Sequence, residues 1–168
     1  DFGQLHKSTT THVSSNKTLV TDFEYDSLSR EVKRTQTLSG QPVRVLSQIW
    51  FDDDHLQSRE QLIDGLSAYK EAFVYDSRGR LQRYSCTGDH PPLDAYGNGI
   101  SSQTFSFDAL DNIVECRSIF ADRTRDTASF TYAPNDSCQL LEVTHDHASY
   151  PAKTEFRYDA DGHMLNDE

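Results

Sequence analysis

Six times along the 168 residues an apolar residue, any residue and an aromatic follow one another: Phe23-Glu24-Tyr25, Ile49-Trp50-Phe51, Phe73-Val74-Tyr75, Phe105-Ser106-Phe107, Phe130-Thr131-Tyr132 and Phe156-Arg157-Tyr158. The second aromatic recurs at 25, 51, 75, 107, 132 and 158, so successive gaps are 26, 24, 32, 25 and 26 residues. That is one period with a single insertion before Phe107. A unit this short cannot bury a hydrophobic face by itself, so a regular recurrence implies that neighbouring units pair and stack.

A turn follows each pair. Asp stands next in five of the six copies, as Asp26, Asp52, Asp76, Asp108 and Asp159, with Ala133 the exception. In Tyr75-Asp76-Ser77-Arg78-Gly79 and Tyr158-Asp159-Ala160-Asp161-Gly162 a glycine sits three residues beyond the Asp. Those residues suit a type I turn whose carboxylate accepts backbone N–H groups, closed by Gly79 or Gly162 at positive φ in a bulge. Ser29, His55, Asp111 and Asp136 stand where the glycine would be, and looser turns are expected there. Spacing by two puts both aromatics on one face of the incoming strand, with Phe23, Phe73, Phe105, Phe130 and Phe156 expected to be buried in register.

Each copy therefore reads as one β-hairpin. A lone hairpin is marginal in water, so the expected fold class is all-β: consecutive antiparallel hairpins forming a long twisted, curved sheet. Residues 21–168 hold the six hairpins, with an inserted Pro- and Gly-rich loop at about 86–99, and residues 1–20 form a flank with one strand around Leu5 to Val13. The best helix candidate, Asp54 to Ala68, contains Gly65 and has no helical stripe.

The net charge of −11 opposes binding to phosphate backbones and anionic headgroups, so neither nucleic acid nor membrane is an expected partner. Mean hydropathy is −0.71, and no stretch approaches the length of a membrane span. The absence of an initiator Met and of a signal pattern fits a piece of a longer protein. Cys86, Cys116 and Cys138 are odd in number and lack CxxC spacing, which favours packing thiols over a disulfide framework, a zinc site or a nucleophile.

Three patterns invite a chemical reading. His145-Asp146-His147 would put two imidazoles on one face of a strand, but spacing supplies no third metal ligand. Asp52-Asp53-Asp54 lacks the Gly and distal Glu of a calcium loop and reads as a solvated acidic turn. The repeated Tyr-Asp pairs carry the ingredients of a sugar site, yet identical placement at a structural period favours ladder and turn roles. No convergent acid–base set stands out, so no enzyme activity, metal or cofactor is expected.

Tyr75-Asp76-x-x-Gly79-Arg80-Leu81 resembles the YD repeat of bacterial Rhs proteins and teneurins, a resemblance that covers about residues 21–168. More narrowly, Cys86-Thr87-Gly88 with Tyr96-Gly97-Asn98, followed by Phe105 to Ile113, is similar to the Rhs-repeat region of C components of insecticidal toxin complexes. The resemblance implies a strip of sheet forming part of a hollow shell, closed together with a B-type component around a toxin domain. It implies a secreted or cell-surface bacterial parent whose repeats pair with neighbouring repeats. Family shells end in a self-cleaving Asp-Pro motif; this chain has no Asp-Pro pair, so neither cleavage nor toxicity is implied for it. Open sheet edges in an isolated segment would favour self-association. The alternative function is a carbohydrate-binding or adhesive module, with Tyr25, Tyr75 and Tyr158 lining an open cleft.

Overall fold

The computed structural model describes residues 3–166, which divide into two compact units. The first runs up to Val74 and takes back Cys86–Pro91; the second holds Tyr75–Ser85 and the chain from Pro92 onward. The chain is all-β, with no helix among the described residues.

The first unit is built on β1 (Lys7–His12), β2 (Lys17–Tyr25), β3 (Glu31–Leu38), β4 (Arg44–Trp50), β5 (Leu56–Ile63) and β6 (Leu66–Tyr75). The second is built on β7 (Leu81–Thr87), β8 (Ile100–Phe107), β9 (Ile113–Phe120), β10 (Arg125–Ala133), β11 (Asp136–Thr144) and β12 (Lys153–Glu155), with a separate pair β13 (Arg157–Tyr158) and β14 (Met164–Asn166). Within each unit the strands pair antiparallel in chain order, with no crossover. Successive hairpins are what a short repeat of incoming strand, turn and outgoing strand dictates.

Register sets the two faces. Phe23 pairs with Arg34 across β2 and β3, while Phe105 pairs with Cys116 and Cys116 with Ala128 across β8, β9 and β10. The residues between the aromatics, Glu24, Val74, Ser106, Thr131 and Arg157, are exposed. Phe105, Phe130 and Phe156 pack on the buried cluster of Cys116, Ala128 and Val143.

The expectation of buried phenylalanines is corrected: Phe23, Phe73, Phe105, Phe130 and Phe156 are all half-buried. Arginine supplies part of the cover for two of them. Arg34 lies 5.2 Å from the centre of the Phe23 ring and Arg59 6.0 Å from that of Phe73. A guanidinium over a ring covers apolar surface and adds roughly 0.5–1 kcal/mol at an exposed site, while its edge stays hydrated. The most buried side chains are accordingly mixed in character, with Glu71 and Phe120 each 2% exposed and Asp126 3%. Glu71 is held in a two-point ion pair by Arg59.

The segment expected as an inserted loop is partly structured. Cys86 and Thr87 end β7, and a single bridge joins Leu93 to Gly99. At Gly88, with φ +124°, an added Cβ would lie 2.4 Å from the Ala68 carbonyl oxygen, so the backbone passes β6 where only glycine fits. Cys86 and Cys116 are buried and Cys138 is exposed; burial pushes the Cys116 thiol up.

Candidate functional site

Among the described residues, seven five-residue turns share one backbone design: 26–30, 51–55, 76–80, 94–98, 108–112, 120–124 and 159–163. In each, the first N–H donates to the fifth carbonyl at 2.8–3.0 Å and the fourth N–H to the first carbonyl at 2.9–3.4 Å. The fourth residue, whether Ser29, Asp54, Gly79, Gly97, Asp111, Arg123 or Gly162, has φ between +67° and +84°. Strand register shifts beside Tyr25, Trp50, Phe107 and Tyr158 mark the bulges that follow.

Asp opens five of these turns. One carboxylate oxygen of Asp26, Asp76, Asp94, Asp108 and Asp159 accepts the N–H groups of the third and fifth residues at 2.8–3.0 Å. The other oxygen meets the side chain of the fifth residue: Arg30 Nε at 2.8 Å, Arg80 Nε at 2.7 Å, Asn98 Nδ2 at 2.9 Å, Asn112 Nδ2 at 2.8 Å and His163 Nδ1 at 3.1 Å. Hydrogen bonding from Arg80 holds the Asp76 carboxyl below the ordinary aspartate range against the opposing effect of burial, and Asn112 does the same for Asp108. For Asp26 burial is the largest single influence and acts to raise its carboxyl, yet the hydrogen bonds from Arg30 and the Leu28 and Arg30 backbone outweigh it and hold it low. The fifth-position partners were not singled out from sequence, although Arg, Asn or His four residues after each of these aspartates was a readable signal.

The turns are also tied to one another. Arg30 Nη1 donates to the Phe51 carbonyl at 2.8 Å and to Asp54 at 2.9 Å, Arg80 Nη1 donates to Asp111 at 2.7 Å, and Asn112 reaches the Ser137 carbonyl at 2.8 Å. Asp54 and Asp111 each occupy the left-handed fourth position and each receive an arginine from the turn of the preceding repeat, Arg30 and Arg80. Ser29 and Asp111 therefore do not loosen their turns as expected; they make the same backbone bonds as Gly79.

The second copy departs from the sequence alignment by one residue. Phe51, not Asp52, takes the first place in its turn, Asp54 rather than His55 takes the left-handed place, and the strand aromatic is Trp50. The reason lies at the ring's polar tip. Trp50 Nε1 donates to the Glu31 carbonyl at 2.9 Å, as the hydroxyls of Tyr25, Tyr132 and Tyr158 donate to Leu5, Ile113 and Leu140 at 3.0, 2.9 and 2.8 Å. Phe51 has no such donor and is left exposed. Asp53 replaces the missing first carboxylate by accepting the His55 N–H from the third place, and Asp122 does the same for Thr124 in the turn opened by Phe120. The fifth copy differs more: Ala133 pairs directly with Asp136 around Pro134 and Asn135, so Asp136 takes no left-handed role.

His145-Asp146-His147 lies in the loop after β11. Asp126 binds His145 Nδ1 at 2.7 Å and accepts the backbone N–H groups of Asp146 and His147. His147 Nε2 meets Thr124 at 3.1 Å, so the two imidazoles serve different partners instead of one metal ion. His145 stacks on Tyr150 with ring centres 4.4 Å apart, and the Tyr150 hydroxyl donates to Asp94. Burial and the neighbouring Asp94 carboxylate push the Tyr150 phenol far up. Among the described residues, Asp159, Asp161 and His163 are the group whose ligand atoms converge, but all three are exposed and two already close their turn.

No protein-family model matches the sequence, and no curated protein matches it closely. The fold is similar to solved structures of Tc toxin assemblies. A crystal structure of TcdB2-TccC3-TEV superposes with TM-score 0.55 at 12% identity over 94% of this chain and 9% of that one. A pore form of the Photorhabdus luminescens Tc holotoxin gives 0.53 at 13% identity over 89% of this chain and 9% of that one. TcdB2-TccC3 without its hypervariable C-terminal region gives 0.52 at 10% identity, over 92% and 10%. The chain thus spans about a tenth of the length of the chains it matches. It shares their fold, in keeping with the YD/Rhs resemblance carried by Tyr75 to Leu81.

Proposed function

We propose that the chain is a structural segment of an Rhs-type shell in a bacterial toxin-complex protein, a stretch of wall that helps enclose a toxin domain and performs no chemistry itself. The observation that carries this reading is the tie between turns: Arg30, Arg80 and Asn112 each close their own turn and bind the next hairpin's backbone. Such a device fixes the spacing of hairpins along an edge, which a wall requires and a catalytic pocket does not. The likeness to Tc assemblies supports the same class. On this reading the partners are neighbouring repeats, a B-type component and the enclosed cargo, and the parent is secreted or released.

The tyrosine-lined sugar cleft is less well supported, because the hydroxyls of Tyr25, Tyr132 and Tyr158 are committed to backbone carbonyls. The test is cryo-electron microscopy of the complete gene product with its B-type partner. Residues 3–166 in the wall of a closed cavity holding separate density is the expected result; a solid, stand-alone domain contradicts it.

A further inference from the structure

We propose that Asn98, in the second unit, is a latent deamidation site, kept unreactive by the 145–150 loop and open to self-modification when that loop lifts away. Of the five asparagines in the chain, Asn98 alone is followed by glycine. Deamidation begins when the next residue's backbone nitrogen attacks the asparagine side-chain carbonyl, and glycine hinders that approach least because it has no Cβ. The Gly99 nitrogen is also unencumbered. In the bridge between Leu93 and Gly99 the flanking residues make the backbone bonds, Asp94 N–H to the Asn98 carbonyl at 3.0 Å and Ile100 N–H to the Pro92 carbonyl at 2.9 Å. The Gly99 N–H has no hydrogen-bond partner among the described residues.

The folded turn holds the carboxamide at both of its polar atoms. Asn98 Nδ2 donates to Asp94 Oδ2 at 2.9 Å, so the side chain is engaged four residues back instead of with Gly99, and Oδ1 accepts the Ser149 hydroxyl at 3.2 Å. The Asn98 N–H is fixed on Asp94 Oδ1 at 2.8 Å. Asp94 is itself pinned, because the Tyr150 hydroxyl donates to the same Oδ2. The Tyr150 ring lies 6° from parallel on His145 and meets Tyr96 edge-on at 4.8 Å, and His145 is anchored by the buried Asp126 carboxylate at 2.7 Å. The 145–150 loop therefore restrains Asn98 directly through Ser149 and indirectly through Tyr150 and Asp94.

The chemistry needs only water. The Gly99 nitrogen bonds to Asn98 Cγ, the Cγ–Nδ2 bond breaks, and ammonia leaves carrying the Gly99 amide proton. Water then opens the five-membered imide at either carbonyl, leaving aspartate or isoaspartate at 98. Either product sets a carboxylate against Asp94 where the turn needs a donor, and like charges so close repel. Arg30, Arg80, Asn112 and His163 meet the aspartate at the equivalent place in the other Asp-opened turns. A loop that has lifted cannot then close as before, so the change records the opening irreversibly. Asn112 is a comparison within the same unit: it makes the same bond to Asp108, but the branched side chain of Ile113 hinders attack on it. The inference goes beyond the shell reading and does not depend on it.

The test is peptide mapping by mass spectrometry of the 168-residue chain during incubation at mildly alkaline pH, with fragment ions locating each modified residue. Slow conversion at Asn98 and none at Asn112 is expected in the native chain, with fast conversion at Asn98 once urea unfolds it. Tyr150→Phe and Ser149→Ala are each expected to raise the native rate at Asn98 about fivefold, the effect of losing one restraining hydrogen bond. Tyr132→Phe removes a comparable hydroxyl bond outside the loop and should leave that rate unchanged. Equal rates in the native and urea-unfolded chain, no acceleration by either loop variant, or the same acceleration by Tyr132→Phe overturns the proposal.

Discussion

Arg80 binds two aspartates at once: its Nε holds Asp76 of its own turn at 2.7 Å and its Nη1 holds Asp111, in the turn of the next repeat, at 2.7 Å. The same guanidinium lies 4.6 Å from the Phe107 ring centre. One planar side chain thus closes a turn, spaces it from its neighbour and covers a strand aromatic. Arg80→Lys keeps the charge and loses this geometry, so it is expected to lower the melting temperature nearly as far as Arg80→Ala. Differential scanning calorimetry of the two variants makes the comparison; full rescue by lysine would mean that charge alone matters.

Trp50 and Phe51 offer a direct contrast. Trp50→Ala removes a half-buried ring and the bond to the Glu31 carbonyl and is expected to cost about 2–3 kcal/mol. Phe51→Ala removes a side chain that is 38% exposed and is expected to cost clearly less than Trp50→Ala. Urea denaturation curves read both.

Phe107 occupies the strand position that Trp50 and Tyr132 fill elsewhere, without a polar tip. By the same register its tip would reach the carbonyl of Leu81, the residue after its neighbouring turn, and open space is bordered by Leu81, Phe105, Phe107 and Ile113. Phe107→Tyr is expected to stabilise the chain by about 1 kcal/mol, and Tyr132→Phe to destabilise it by a similar amount. Equilibrium unfolding of the pair decides whether the tip bond recurs by design.

Acid should loosen the turns before the strands. Asp76, Asp108 and Asp159 are all held below the ordinary aspartate value of 3.8 by hydrogen bonds made in the folded state. A depressed folded value gives stability that is present above the unfolded value and lost as pH falls through the folded one. Stability is therefore expected to be level above about pH 5 and to decline below pH 4. Carboxyl carbon shifts followed by NMR against pH give the three midpoints, and ordinary midpoints would contradict the hydrogen-bonding pattern.

Gly88→Ala tests the close passage of the 86–91 segment over Ala68. The added Cβ meets backbone rather than a movable side chain, at a φ that favours glycine, so a cost of about 1–3 kcal/mol is expected. Gly40→Ala, at positive φ but with open space around it, should cost less. Equal losses at the two sites would remove the steric argument.

Much of the architecture was legible because strand alternation and turn chemistry act locally. Tyr75-Asp76 with Gly79 specifies its own turn, and Phe105 falls on the same face as Phe107 whatever surrounds them. What escaped depends on contacts between hairpins. The alignment at Phe51 failed because apolar type was matched where a ring donor, Trp50, decides the register. Asp111 was expected to give a looser turn than glycine and Asp54 was not placed at that position at all, yet each is the acceptor for an arginine 24 or 31 residues away. The turn at Asp94 was hidden in a Pro- and Gly-rich stretch because its strands shrink to the bridge between Leu93 and Gly99. His145 and His147 suggested a metal only while the buried Asp126 carboxylate that gathers their loop was unknown.

The central claim is that the repeated aspartates build the turns of a wall instead of binding a ligand. Its most direct test is thermal unfolding of Asp76→Ala, Asp108→Ala and Asp159→Ala beside Asp52→Ala, whose parent residue is exposed and takes no turn-opening role. A clear drop in melting temperature for the first three and little change for the fourth is expected if these carboxylates are architecture. Four unchanged melting temperatures would contradict it and return the Tyr-Asp pairs to consideration as a binding surface.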